Sequence, residues 1–206
     1  MKTLIFDFDG TIANSFETLL TIFEDITKRP EKLTVKEINT LRGQPLKQII
    51  KQLKIKRWQI PRLVIKAKRS LALKMISISP FPDIPEALKQ LHGNGSQMFI
   101  LSTNSTQSIS GFLKKNGLDG YFTRIYGDIG LRSKSSALKK LMKKESLDPK
   151  KCIYVGDEVR DIEAAKKAGI GSVGVTWGFN DKKAIVNAQP DFVADSPKNL
   201  AEYLIS

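Results

Sequence analysis

The 206-residue chain has one cysteine and one histidine. A single thiol cannot close an internal disulfide. Cys152 lies in the apolar run Cys152-Ile153-Tyr154-Val155, the setting of a buried structural thiol rather than a nucleophile. His92 stands apart from every cluster of polar residues described below, where a surface or helix-end position explains it better than catalysis. No stretch approaches the ~20 apolar residues of a membrane-spanning helix. The N-terminus lacks the pattern of a signal peptide, because Asp7 and Asp9 interrupt any apolar segment. The chain reads as cytoplasmic, with no transmembrane segment. Acids are scarce in one place. Residues 28–75 hold fifteen Lys or Arg against Glu31 and Glu37, whereas the remainder has nineteen basic and nineteen acidic residues. The whole net charge of +13 therefore sits in one stretch, which separates two regions on charge alone.

What the chain does have begins at once. Leu4-Ile5-Phe6 is an apolar run ending in Asp7-Phe8-Asp9-Gly10-Thr11. This is the pattern of a buried strand with acids at its C-terminal end. Asp7 and Asp9 are two apart and point to the same side at strand geometry. Close carboxylates repel, so such a pair needs a cation or a shared proton. Gly10 allows a tight turn and brings backbone N–H groups near an anion. A strand-ending turn with solvated acids is the alternative.

Downstream, Phe16, Leu19, Leu20, Phe23 and Ile26 have helical spacing that Pro30 ends, with Asn14-Ser15 as cap or hinge. Thr34 with Glu37 forms a capping-box pattern. Arg42-Gly43-Gln44-Pro45 is a turn, residues 46–53 are helical, and residues 58–78 form a long basic helical stretch. No β pattern interrupts residues 15–78. Helices are then expected over residues 83–91, 106–116, 133–145 and about 160–168. Strands are expected over 97–101, within 121–126, and over 153–155, 173–176 and 192–194. Such alternation predicts an α/β, Rossmann-like core with a mostly parallel sheet flanked by helices. The helical insertion divides it into a core of residues 1–14 and 80–206 and a cap of residues 15–79. Ligands of such sheets sit beyond the carboxyl ends of the strands, where these acids and hydroxyls lie.

Four clusters in order resemble the signatures of the haloacid dehalogenase superfamily. They are Asp7-Phe8-Asp9-Gly10-Thr11, Ser102 after its strand, Lys134 at the start of a helix, and Gly156-Asp157 with Asp161 four residues on. The resemblance implies a magnesium-dependent phosphatase working through an aspartyl-phosphate. It implies Asp7 as nucleophile and Asp9 as general acid and base, which requires Asp9 to be shifted upward. Gly10, Thr11, Ser102 and Thr103 would orient the phosphoryl oxygens, with Asn104 as a polar supporter. Lys134 would neutralise charge there, with Arg132 and Lys139 as rivals because serines follow Lys134 where the family often has proline nearby. Mg2+ would be bound by Asp7, Asp157 and the Asp9 carbonyl, with Asp161 and Glu158 in supporting positions.

The helical insertion is similar to the caps of the phosphoglycolate phosphatase and β-phosphoglucomutase branch. There Arg42 or Lys47 would reach a substrate anion. Val175-Thr176-Trp177-Gly178-Phe179 resembles a segment of phosphoglycolate phosphatases, and packing at a sheet edge equally accounts for Trp177. The cap offers no acid-base residue for a mutase, so hydrolysis of a phosphoglycolate-like monoester leads. Pyrophosphate, sugar phosphates and nucleotides are alternatives, and the oligomeric state is monomer or homodimer. Residues 54–74, with eight basic residues and no acid, leave open binding of nucleic acid or an anionic surface. A solvated face and the steering of an anionic substrate fit the same residues.

Overall fold

In the computed structural model, which describes residues 2–27, 34, 37, 40, 60–130 and 134–206, the first apolar run is strand β1 (Thr3–Phe6). The others are β2 (Gln97–Leu101), β3 (Arg124–Tyr126), β4 (Cys152–Gly156), β5 (Gly171–Val175) and β6 (Phe192–Ala194). They form one sheet in the order β3-β2-β1-β4-β5-β6, with every neighbouring pair parallel. Side chains alternate along each strand, and that period sorts the apolar residues into two layers. Leu4, Phe6, Met98, Ile100, Val155 and Val173 enter one core. Ile5, Phe99, Leu101, Cys152 and Tyr154 enter the other.

Helices cover both faces. On the first side lie α3 (Ile84–Gly93), α4 (Thr106–Lys115) and α8 (Pro197–Ile205), which bury Leu88, Leu91, Ile109, Phe112, Leu200 and Leu204. On the second, α5 (Lys134–Lys144) and α6 (Val159–Ala168) bury Leu138, Leu141, Ala164 and Ala165. α7 (Lys182–Asn187) packs beside β5. Neither α7 nor α8 is expected above. The signal for α8 was there: Ser196 accepts from the Asn199 N–H at 3.1 Å, and Pro197 fills the first turn, where its missing N–H costs nothing.

Two helices between β1 and α3 pack on each other: α1 (Phe16–Thr27) and α2 (Ile60–Lys74), the latter followed by a 3-10 turn over Met75–Ser77. Ile22, Leu71 and Met75 are buried against the first core. The capping box at Thr34 is formed, with the Thr34 N–H donating to Glu37 Oε2 at 2.8 Å and the Glu37 N–H to Thr34 Oγ1 at 3.3 Å. The turn at 42–45, the helix at 46–53 and Trp58 lie outside the described residues. Where the chain leaves and rejoins the sheet, the two segments run side by side. The Asn14 N–H donates to Ser79 O and the Phe81 N–H to Ile12 O, both at 3.0 Å. Among the described residues, no helix is long and apolar enough to cross a membrane.

The strand order fixes where chemistry can occur. From β1 the chain goes to β2 and β3 on one side, then returns to β4, β5 and β6 on the other. Loops leaving β1 and β4 therefore diverge, opening a crevice at the carboxyl end of the sheet.

Candidate active site

β1 continues its ladder one residue further, with the Asp7 N–H donating to Val155 O at 2.8 Å. The chain then turns sharply. Phe8 O accepts from both the Ile12 and Ala13 N–H groups at 2.9 Å, and Gly10 takes a φ of +80°. A side chain at Gly10 would be strained by that φ, and its Cβ would stand 2.2 Å from Asp157 Oδ2. Phe8 anchors the turn by packing edge-on against Phe112 with centroids 5.0 Å apart.

Asp7 is buried and held from two directions. The Phe8 N–H donates to Oδ1 at 2.8 Å, and Lys134 Nζ donates to Oδ2 at 2.8 Å. Lys134, the first residue of α5, also pairs with Asp161 Oδ1 and lies 5.4 Å from the centroid of the Tyr154 ring. Burial alone would drive the proton off this lysine, but Asp161 and Asp7 hold its pKa well above the usual value. Asp161 is nearly spoken for: its Oδ2 accepts from the Glu158 N–H at 3.1 Å, closing the start of α6. Burial pushes Asp161 up to about 6 against the pull of Lys134.

Asp9 faces a different setting. Asn104 Nδ2 donates to its Oδ2 at 3.1 Å, and Asn104 is held in turn by the Ser105 N–H at 2.8 Å on its Oδ1. Oδ1 of Asp9 is buried without a formed hydrogen bond, beside the equally buried Ser15 hydroxyl. Burial first, and then the Asp7 charge, raise Asp9 to about 6. The upward shift expected of a general acid is present.

Asp157, one residue past β4, is fully buried, and among the described residues no ammonium or guanidinium pairs with it. The Thr11 hydroxyl donates to Oδ1 at 2.8 Å and the Phe179 N–H to Oδ2 at 2.7 Å. Burial, then Glu158, Asp161 and Asp7, hold its pKa well above the carboxylate range. Glu158 is itself paired with Arg160.

The structure brings Asp7, Asp9, Ser102, Asn104, Lys134, Asp157 and Asp161 to one end of the sheet. Two of the residues expected at a phosphoryl group make contacts within the protein: the Gly10 N–H donates to Ala13 O at 3.0 Å, and the Thr11 hydroxyl donates to Asp157 Oδ1 at 2.8 Å. Ser102 keeps its hydroxyl hydrogen, since its oxygen accepts from the Asn104 N–H at 3.2 Å; Thr103 beside it is half-buried. Of the rivals to Lys134, Lys139 is exposed on α5 and Arg132 lies outside the described residues, as do Arg42 and Lys47. The role of the Phe179 N–H, in a segment that the sequence singles out, and that of Asn180, which accepts from the Val159 N–H at 2.8 Å, could not be read from residue type, because backbone donors and loop amides are not distinctive.

Asp7, Asp157 and Asp161 each offer an oxygen, and these lie within 4.8 Å of one another. An all-oxygen, desolvated set suits a hard divalent cation. Asp161 already serves Lys134 and the α6 terminus, which leaves Asp7 and Asp157 as the better donors.

Comparison with known proteins adds the following. Residues 4–175 match the family model described as haloacid dehalogenase-like hydrolase. A Synechococcus elongatus protein named phosphoglycolate phosphatase is 34% identical over 206 residues, covering 98% of this chain and 96% of its own. An Aquifex aeolicus protein of the same name is 24% identical over 210 residues, covering 99% and 97%. A solved haloacid dehalogenase-like hydrolase from Streptococcus pneumoniae has a TM-score of 0.83 at 24% identity and covers 98% of both chains.

Proposed function

The chain belongs to the haloacid dehalogenase-like hydrolases and is a phosphatase, and from that premise we propose that it hydrolyses a small phosphate monoester of the phosphoglycolate type through an aspartyl-phosphate on Asp7. The observation that carries this reading is the Lys134–Asp7 contact at 2.8 Å in a buried setting, next to an Asp9 whose pKa is raised to about 6. A carboxylate paired with a lysine and an acid shifted toward neutrality stand side by side, as the two halves of the reaction require.

Asp7 attacks phosphorus, forming a carboxyl–phosphate bond as the bond to the leaving oxygen breaks. Asp9 gives its proton to that oxygen. In the second half Asp9 takes a proton from water, whose oxygen bonds to phosphorus as the bond to Asp7 breaks. Lys134 offsets the charge of Asp7 and of the incoming phosphoryl group, and the Ser102 hydroxyl with the neighbouring Thr103 backbone orients the phosphoryl oxygens. Mg2+ would be held by Asp7, Asp157 and the Asp9 carbonyl, with Glu158 and Asp161 behind them. When bound, it offsets the repulsion between the carboxylate and the phosphate dianion. In this reading residues 15–79 are the cap inserted into a core of residues 1–14 and 80–206, and Arg42 and Lys47, which lie outside the described residues, would be the candidates to meet the substrate anion.

The test is phosphate release from a panel of phosphoglycolate, pyrophosphate, sugar phosphates and nucleotides, with and without Mg2+ and chelator. Phosphoglycolate should lead, and Asp7→Asn should lower turnover by about 10⁴-fold or more. Metal-independent release, or release that survives Asp7→Asn, would refute the mechanism.

A further inference from the structure

Between β5 and α7, the five residues from Thr176 to Asn180 form a strap over Asp157. One end is fixed by the Thr176 N–H donating to Ala194 O at 3.1 Å. At the other, the Asn180 N–H donates to Asp157 O at 3.3 Å while the Asn180 side chain takes the Val159 N–H. Between them the strap lies on the carboxylate itself. A Cβ on Gly178 would stand 2.3 Å from both Cβ and Oδ2 of Asp157 and 2.4 Å from Gly10 O, so only glycine lets the strap come this close. The Phe179 N–H then reaches Oδ2.

Trp177 completes this arrangement from a distance. Its indole N–H donates to Thr11 O at 3.1 Å, and Thr11 is the residue whose hydroxyl donates to Asp157 Oδ1. We propose that Trp177 is a positioning residue for Asp157, acting through Thr11 so that the carboxylate presents its remaining lone pairs to a divalent cation. The inference rests on the metal site proposed above. Packing does not account for the contact. The ring already packs edge-on toward Phe81, with centroids 6.5 Å apart, and a half-buried indole could give its N–H to water. Here the N–H closes a chain of two hydrogen bonds, Trp177 to Thr11 and Thr11 to Asp157, so that Oδ1 of Asp157 is held through Thr11 while Oδ2 is held by the Phe179 N–H. Partners one step behind a metal ligand typically change metal affinity by about 10–100-fold when removed.

The experiment is calorimetric titration of Mg2+ into substrate-free protein, for the wild type, Trp177→Phe, Trp177→Leu, Thr11→Val and Trp177→Phe/Thr11→Val. Both Trp177 variants lack the N–H, so both should bind Mg2+ about ten-fold more weakly. Phe and Leu should differ from each other in melting temperature, not in affinity. The double variant should be no weaker than Thr11→Val, since the indole acts through that hydroxyl. Wild-type affinity in Trp177→Phe, affinity that follows ring packing rather than the N–H, or losses that multiply in the double variant would each overturn the proposal. A wild type that binds no Mg2+ would instead refute the metal site on which it rests.

Discussion

Asp7 and Asp157 leave adjacent parallel strands at the same end of the sheet, and both are buried. Their surroundings differ in kind. Asp7 has the Lys134 ammonium on it, while Asp157 has a threonine hydroxyl and a backbone N–H. A buried carboxylate needs charge compensation as well as hydrogen bonds. At the end of β1 the chain supplies both. At the end of β4, among the described residues, it supplies hydrogen bonds alone, and burial with the neighbouring acids raises the proton affinity of Asp157. Among the described residues, one strand end carries its countercharge and the other does not.

The strongest way to break this contrast is Lys134→Met. Asp7 and Asp161 would then share the condition of Asp157, two buried acids with no cation. Urea unfolding should show a loss of about 3–5 kcal/mol, the scale for removing one partner of a buried ion pair. Retained wild-type stability would mean that the pair is already solvated.

Asp157→Asn should sharpen the contrast in the opposite direction. In metal-free protein at pH 7.5 it removes a buried acid that, among the described residues, has no basic side chain paired with it, and the melting temperature should rise by about 2–4 °C for each kcal/mol gained. Adding Mg2+ should stabilise the wild type and leave this variant unmoved. The same acids set a pH dependence. Asp9 and Asp161 are raised to about 6, and Asp157 is raised, so the folded chain binds more protons than the unfolded chain above the ordinary carboxylate range. Stability from these groups is therefore present below the ordinary carboxylate value and lost as pH rises, through about 6 for Asp9 and Asp161. Melting of metal-free protein at pH 5.5 and 7.5 should show this fall, reduced in Asp157→Asn. An unchanged difference would remove Asp157 from the account.

At the bottom of the scale is the exposed pair Lys182–Asp195 at 2.7 Å. Its hydrogen bond lowers the Asp195 pKa, so any stabilisation is present above the ordinary carboxylate value and lost as pH falls through the lowered one. Solvent screens both groups, and Lys182→Met should change unfolding stability by less than about 0.5 kcal/mol. A change as large as that of Lys134→Met would erase the distinction between buried and surface pairs.

The sheet was legible in the chain because its signals are local. Strand alternation, the glycine at 117 with its φ of +66°, and Leu138, Leu141 and Met142 on one helix face all follow from short-range periodicity. The acids of the site were legible too, since Asp7, Asp9 and Asp157 stand at strand ends. What could not be read is how donors are shared. Thr11 and Gly10 look equally suited to an anion from their types, and only the fold shows one hydroxyl committed to Asp157 and one N–H to Ala13. Trp177 had two readings of equal merit in the sequence; its ring packs against the first core beside Phe81, and its N–H also donates to Thr11 O, a contact that residue type does not reveal.

The central place of β1 also shapes how this chain folds. Phe6 pairs with Ile100 on one side and Val155 on the other, residues far along the chain from it. Pairing over such separations carries a loop-closure cost that local contacts do not offset. The strand that carries Asp7 thus depends for both of its neighbours on segments far along the chain.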